Sequence, residues 1–291
     1  MIKVVSWNIS KRVKPWREMV RMAREGDADV ALVQEAGSPP GDLVPPIEYE
    51  DRVFWSRHLY DRWPLVVALS DRVRVEPYRQ VPPISDLAAD AIGVSGIGTI
   101  AAARIVPRES EEDAFVAVSM YARWIKPHPS TKSSWGVGCS DVSAHRIISD
   151  LSAFIGHEDP SRHRILAAGD LNLIYGATRD NRLVLFDRDN TVWHRMDKLG
   201  MEFMGPQHPH GGRRAEPRPA GLPADTHNVP TYYTSRQGSA DAAQNQLDYA
   251  FASRGFHESV SVRAMNNDAV EWGASDHCRL MIEVRTKADC A

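Results

Sequence analysis

The chain has 291 residues, 43% of them hydrophobic and 25% charged, with a formal net charge of −3. That is the composition of an ordinary globular protein, long enough to bury one large core. The negative balance excludes a globally basic protein that coats nucleic acid through bulk charge, but not a local basic patch around an acidic centre.

The three cysteines, Cys139, Cys278 and Cys290, are odd in number and lack the paired spacing of a zinc site, so a reducing, cytoplasmic setting is expected. The chain opens as a strand rather than a leader peptide. The most membrane-like stretch, 91–103, is uncharged but much shorter than the roughly 20 apolar residues a bilayer demands.

Residues 2–7 are β-branched and alternate, which predicts a strand. Residues 15–24 follow as a helix, with Pro15 suited to its first turn and Trp16, Met19, Val20 and Ala23 on one face. The apolar run 30–34 is a second buried strand, completing a βαβ unit. Further strands are expected at 53–55, 65–69, 73–75, 97–106 and 115–120. A helix at 140–155 precedes a core strand at 163–168, and a short helix covers 190–199. Strands at 248–252, 259–264 and 279–284 close the chain. Trp55 and Trp63 are expected in the core. Residues 75–96 and 205–230 lack periodicity. The second stretch is crowded with Pro, Gly, His and Arg, and loops of that length are usually functional or disordered. No linker separates two cores, so residues 1–291 read as one domain.

Four segments end predicted strands in metal-competent or proton-transferring groups: Ser6-Trp7-Asn8, Val33-Gln34-Glu35, Gly169-Asp170-Leu171-Asn172 and Ser275-Asp276-His277. A fifth, Gln246-Leu247-Asp248-Tyr249, opens a strand. Each alone has a bland reading as a turn, a cap or a solvated strand end. Together they place Asn8, Glu35, Asp170, Asn172, Asp248, Asp276 and His277 at strand ends, where α/β sheets bind ligands. Oxygen ligands without cysteine suit Mg²⁺ or Mn²⁺ better than zinc.

In this order the set resembles the signature of the endonuclease/exonuclease/phosphatase family, across residues 7–277. Residues 64–70 and Thr231-Tyr232-Tyr233 are similar to further segments of that family. The resemblance implies a four-layer α/β sandwich of two packed mixed β-sheets flanked by helices. It implies Glu35 as principal metal ligand with Asn8 close by, and Asp276 bordering the metal. It implies Asp170 as the group that activates water, Asn172 on a phosphate oxygen, Asp248 paired with His277, and Tyr121 near the scissile phosphate. Phosphodiester hydrolysis asks for the same parts: a dication against phosphoryl charge, a carboxylate for the water proton, and a charged histidine for the pentavalent species.

The implied activity is metal-dependent hydrolysis of a phosphodiester in DNA or RNA. The alternatives are a phosphatase or phosphodiesterase on a small or lipid phosphoester, and a silent member that only binds a partner. Ser10 stands where some abasic-site endonucleases carry Asp, a departure from that subfamily. No basic amphipathic helix suits a membrane, and no tryptophan-cysteine-aspartate-arginine run marks an inositol phosphatase. Substrate contacts are expected from Arg123, beside Trp124, Lys126 and His128, and from Arg213, Arg214 and Arg218 in the long loop.

Overall fold

The computed structural model describes residues 1–37, 39–43, 48–49, 64–81, 88–93, 100–122, 140–155, 162–178 and 186–290. The elements in chain order begin with β1 (Ile2–Asn8), α1 (Val13–Glu25), β2 (Val30–Gln34), β3 (Glu48–Tyr49), β4 (Leu65–Ala68) and β5 (Val73–Pro77). Next come β6 (Arg79–Val81), β7 (Ala91–Gly93), β8 (Ile100–Pro107), β9 (Phe115–Tyr121), α2 (Ser140–Leu151) and β10 (Ile165–Asp170). The chain continues with α3 (Phe186–Lys198), β11 (Met201–Gly205), β12 (Asp248–Ser253), β13 (Val260–Ala264), α4 (Ala269–Trp272) and β14 (Leu280–Val284).

Two mixed six-stranded sheets carry the fold, ordered β13-β14-β1-β2-β4-β3 and β11-β12-β10-β9-β8-β5, and β6 and β7 form a separate parallel pair. Strand residues alternate between faces, and in the central strands both faces are buried, which is why their sequences are continuous apolar runs. Val4, Val30, Leu32 and Ile282 of the first sheet meet Ile105, Ala117, Leu166, Ala168 and Ala250 of the second in one buried cluster. The opposite face of the first sheet, with Val5, Trp7, Ala31 and Val33, receives Trp16, Met19 and Val20 of α1. The outer face of the second, with Val118, Met120, Ala167 and Phe251, receives Ile147, Ile148 and Leu151 of α2 and Val192, Trp193 and Met196 of α3. Helix, sheet, sheet, helix is the four-layer sandwich expected from the sequence.

The helices stop for local reasons. Gly26 takes a left-handed conformation (φ 71°) after α1, and its N–H reaches the carbonyls of Ala23 and Met22. Helix α3 starts four residues earlier than its sequence pattern suggests. Strand β11 and the one-turn helix α4, capped by Asp268 on the N–H groups of Val270 and Glu271, were not anticipated. The strand expected at 53–55, Trp55, Trp63, Cys139 and the group Arg123, Trp124, Lys126 and His128 lie outside the described residues. Among the described residues no helix is long and apolar enough to cross a membrane.

Candidate active site at the strand ends

Sheet register lines up the first part of the site. β1 and β2 run parallel with Asn8 opposite Gln34. β10 lies between β9 and β12, so Asp170 sits opposite Tyr121 on one side and Asp248 on the other. Gly169 is required just before Asp170, because a Cβ there would overlap the Met120 carbonyl of β9. Both sheets therefore end their central strands at one edge of the sandwich, and that edge is where the polar groups meet.

Left-handed residues turn two of these groups inward. Glu35 (φ 46°) follows β2 and Asn172 (φ 50°) follows β10. Non-glycine residues in this region carry strain, which clusters at functional sites. Lys11 N–H donates to the Glu35 carbonyl at 2.8 Å and so ties the β1 exit to the β2 exit.

The side chains then form one connected network. Asn8 Nδ2 donates to Asp170 Oδ2 at 2.9 Å and to Glu35 Oε1 at 3.3 Å, while its Oδ1 accepts from Ser10 N–H. Tyr121 donates to the same Glu35 oxygen at 3.0 Å. Asn172 supplies Asp170 with its backbone N–H at 2.8 Å and its Nδ2 at 2.9 Å. His277 Nδ1 donates to Asp248 Oδ2 at 2.8 Å, and its Nε2 lies 3.9 Å from Asp170 Oδ2. Asp276 faces Arg12 at 3.7 Å.

The turn that carries His277 is pinned to the first sheet. Ser275 Oγ donates to the Asn8 carbonyl at 2.7 Å, and Trp7 Nε1 donates to the His277 carbonyl at 2.9 Å. Tyr232 bridges its backbone to both Asn245 and His277, and its ring lies 4.7 Å from the imidazole. Thr231 Oγ1 accepts from the N–H groups of Leu247 and Asp248, fixing the start of β12.

Electrostatics follow from this packing. Asp170, Asp248 and His277 are all buried. Burial raises the Asp170 carboxyl well above the carboxylate range and Asp248 adds to this, against the opposing pull of His277. Burial works against the His277 imidazolium, yet Asp248, Asp170 and Asp276 together outweigh it and raise its pKa. A poised carboxyl thus stands beside a histidine held in its charged form, the pairing that acid–base chemistry on an anionic ester uses.

The structure brings Asn8, Glu35, Tyr121, Asp170, Asn172, Asp248, Asp276 and His277 to one edge of the sandwich. It treats the arginines differently. The Arg213 guanidinium donates to the Asn266 and Ala240 carbonyls, and Arg218 donates to the Leu222 carbonyl. These two side chains tie the segment 206–230 to the body and to itself, which corrects the expectation that all three loop arginines point at substrate. Arg214 is exposed, and Arg123 lies outside the described residues. Arg12 was missed, although the basic run Lys11, Arg12 and Lys14 just past Asn8 was a signal for it.

Oxygen donors dominate the centre. Asp170, Asp248 and His277 hold ligand-competent atoms within 4.8 Å of one another, the one such group among the described residues. Glu35 and Asp276 border it, and Asn8 joins Glu35 to Asp170. The carboxylates of Glu35 and Asp276 beside it are the hard oxygen donors a divalent cation takes, while His277, held protonated between two carboxylates, has no lone pair to ligate one.

Comparison with known proteins agrees with the architecture. Solved structures similar to this chain include the AP endonuclease LMAP from Leishmania major (TM-score 0.62, 14% identity, covering 98% of this chain and 88% of that one). The APE2 catalytic domain of Xenopus laevis is similar (TM-score 0.60, 16% identity, 97% and 91% covered). So is the endonuclease domain of TRAS1, a telomere-specific non-LTR retrotransposon (TM-score 0.59, 17% identity, 99% and 100% covered). At these identities the likeness establishes the fold. No curated protein sequence matches the chain. The model of the Endonuclease/Exonuclease/phosphatase family matches residues 5–277, and the chain belongs to that family.

Proposed function

We propose that this protein is a divalent-metal-dependent phosphodiesterase whose substrate is nucleic acid, cleaved by in-line attack of water. The observation that carries the reading is the row Asp248, His277, Asp170: a buried carboxylate 2.8 Å from one imidazole nitrogen and a second carboxylate 3.9 Å from the other. A nucleophilic water beside Asp170 gives its proton to the ionised Asp170 carboxylate, which burial makes a stronger base than a solvated one. His277, oriented by Asp248, presents its Nε2–H to the phosphoryl oxygens as charge builds on them. Asn172 Nδ2 donates its two protons to Asp170 Oδ2 and to the Ala122 carbonyl, so it takes a phosphate oxygen next to the attacking water by exchanging the Asp170 contact for it.

Glu35, Asp276 and Asn8 are the residues that would hold Mg²⁺ or Mn²⁺, with Tyr121 fixing the Glu35 carboxylate through its hydroxyl. Bound there, the cation supplies charge neutralisation at the phosphoryl oxygens. Asn8 turns its nitrogen to the two carboxylates, so in this arrangement it sets their spacing, and ligation through Oδ1 requires its amide to rotate. The nucleic-acid assignment is supported by the fold of the AP endonucleases and of the retrotransposon endonuclease, and by Arg12, Lys14 and Arg214 as cations for flanking phosphates.

The test is hydrolysis of plasmid DNA, linear DNA, abasic DNA, RNA and bis-p-nitrophenyl phosphate in Mg²⁺, Mn²⁺ and chelator. Metal-dependent cleavage of a polynucleotide supports the reading. Turnover of inositol phosphates or sphingomyelin with every polynucleotide left intact removes the nucleic-acid part and leaves a phosphoesterase.

A further inference from the structure

A second polar cluster lies away from the strand ends, in a groove of about 660 Å³ between α2 and α3 on the outer layer. Its floor is Asp141, 2% exposed, whose Oδ2 meets Arg188 at 2.6 Å. The other carboxylate oxygen, Oδ1, is buried and has no hydrogen-bond partner among the described residues. One helical turn on, His145 Nε2 lies 3.1 Å from Thr191 Oγ1. Thr191 Oγ1 donates its own proton to the Arg188 carbonyl, so the imidazole must be the donor to Thr191. That sets the tautomer. His145 Nδ1 is then a bare acceptor, also buried and unpartnered among the described residues, and burial followed by Arg195 keeps the ring neutral by lowering its pKa.

A buried acceptor without a donor is destabilising, so two of them on one face of a helix call for a ligand that brings donors. Above them stand Arg146 and Arg195, which make no ion pair among the described residues. The groove therefore offers two guanidinium groups for an anion and two acceptors for hydroxyl or amine protons. A metal cation is disfavoured by the three surrounding arginines. A ribonucleotide carries both complements: its phosphate suits the guanidinium pair, and its ribose hydroxyl is a donor that deoxyribose lacks.

The groove's place in the fold connects it to the strand ends. β9 and β10 are parallel and both finish there, so α2, which joins them, starts at that edge. β12 begins there and β11 runs antiparallel to it, so α3, which leads into β11, starts at the same edge. Asp141, His145, Arg188 and Thr191 lie in the first two turns of the two helices.

We propose that the α2–α3 groove is an accessory site for a ribonucleotide unit of an RNA strand, with Arg146 and Arg195 on its phosphate and with Asp141 Oδ1 and His145 Nδ1 accepting from its sugar. The proposal rests on the nucleic-acid reading above and narrows it to RNA. It is tested by fluorescence anisotropy of the full chain in chelator, where no cleavage occurs, with single-stranded RNA, DNA of the same sequence, and AMP as competitor. Wild type is expected to bind RNA more tightly than DNA. Arg146→Ala with Arg195→Ala should weaken RNA binding at least about tenfold and lower the slope of log K against log salt by about 0.7, the share of one phosphate on a single strand. Asp141→Asn should erase the preference for RNA. Since Asp141 also pairs with Arg188, His145→Ala serves as a second probe of the sugar contact and should reduce the same preference. Equal RNA affinity of wild type and the double arginine variant would overturn the site. A preference for RNA untouched by both the Asp141 and His145 changes would overturn the sugar contact, and AMP binding as tight as the strand would overturn the strand assignment. Hydrolysis of bis-p-nitrophenyl phosphate in Mg²⁺ should be unchanged in the arginine variant. If wild type hydrolyses no diester, the catalytic reading fails while the binding arms still judge the groove.

Discussion

At the strand ends, Asn8 and Asn172 hydrogen-bond to Asp170 and His277 hydrogen-bonds to Asp248, with 3.9 Å between His277 and Asp170. In the segment 206–230, Arg213 and Arg218 hydrogen-bond instead to main-chain carbonyls of Asn266, Ala240 and Leu222. Both regions are dense in polar side chains, and their composition alone makes both look functional. The first keeps its ionisable groups facing each other in a buried, strained frame. The second holds two of its three arginines on main-chain carbonyls. What separates a site from a scaffold here is the partner each charge has, not the number of charges.

The largest effects should come from the strand-end network. Chelator should abolish hydrolysis, and Mg²⁺ or Mn²⁺ should restore it, because the single charge of His277 is too little to neutralise two phosphoryl oxygens without the cation. Glu35→Gln should lower metal affinity, read by titration of activity against Mg²⁺. Full activity in excess chelator would remove the metal from the account. Next, Asp170→Asn, His277→Ala and Asp248→Asn should each reduce kcat by about a hundredfold or more, the usual scale of acid–base and oxyanion groups. Circular dichroism should show the variants folded. A His277→Ala enzyme with normal kcat would break the Asp248–His277 pairing as a functional unit.

The 206–230 segment should respond in the opposite currency. Arg213→Ala removes donors from two carbonyls and should destabilise the fold by about 1–3 kcal/mol, read by denaturant midpoint, with little change in kcat. Arg214→Ala should leave stability within about 0.5 kcal/mol and raise KM for polynucleotide severalfold while flattening its salt dependence. If the Arg213 variant is fully stable and loses only substrate affinity, the tether reading is wrong and the contrast between the regions disappears.

How far the sequence reveals these regions depends on where the partners come from. Asn8, Glu35, Asp170 and His277 were legible because each adjoins an apolar run or a short motif of fixed order, and strand ends are where sheets collect ligands. Continuous apolar runs such as 30–34 and 165–168 made the buried strands legible, while the sandwich itself was implied only by the family resemblance. Arg213 was not legible as a tether, since its acceptors are backbone carbonyls more than twenty residues away, and every residue carries one. Asp141 and His145 were hidden differently. Their one-turn spacing reads as ordinary helix surface until α3 is packed beside them. Strand β11 was missed because Met201–Gly205 is too short and too mixed to stand out before its pairing with β12 is known.

On the proposed mechanism, the Asp248–His277–Asp170 row drives metal-dependent cleavage of polynucleotide. The most direct measurement is the single-turnover rate on end-labelled RNA and DNA oligonucleotides in Mg²⁺, for wild type and Asp170→Asn side by side. Wild type is expected to cleave, and the variant to react about a hundredfold or more slowly at saturating metal. Cleavage by the variant at the wild-type rate, or no cleavage of either polynucleotide by wild type, would contradict it.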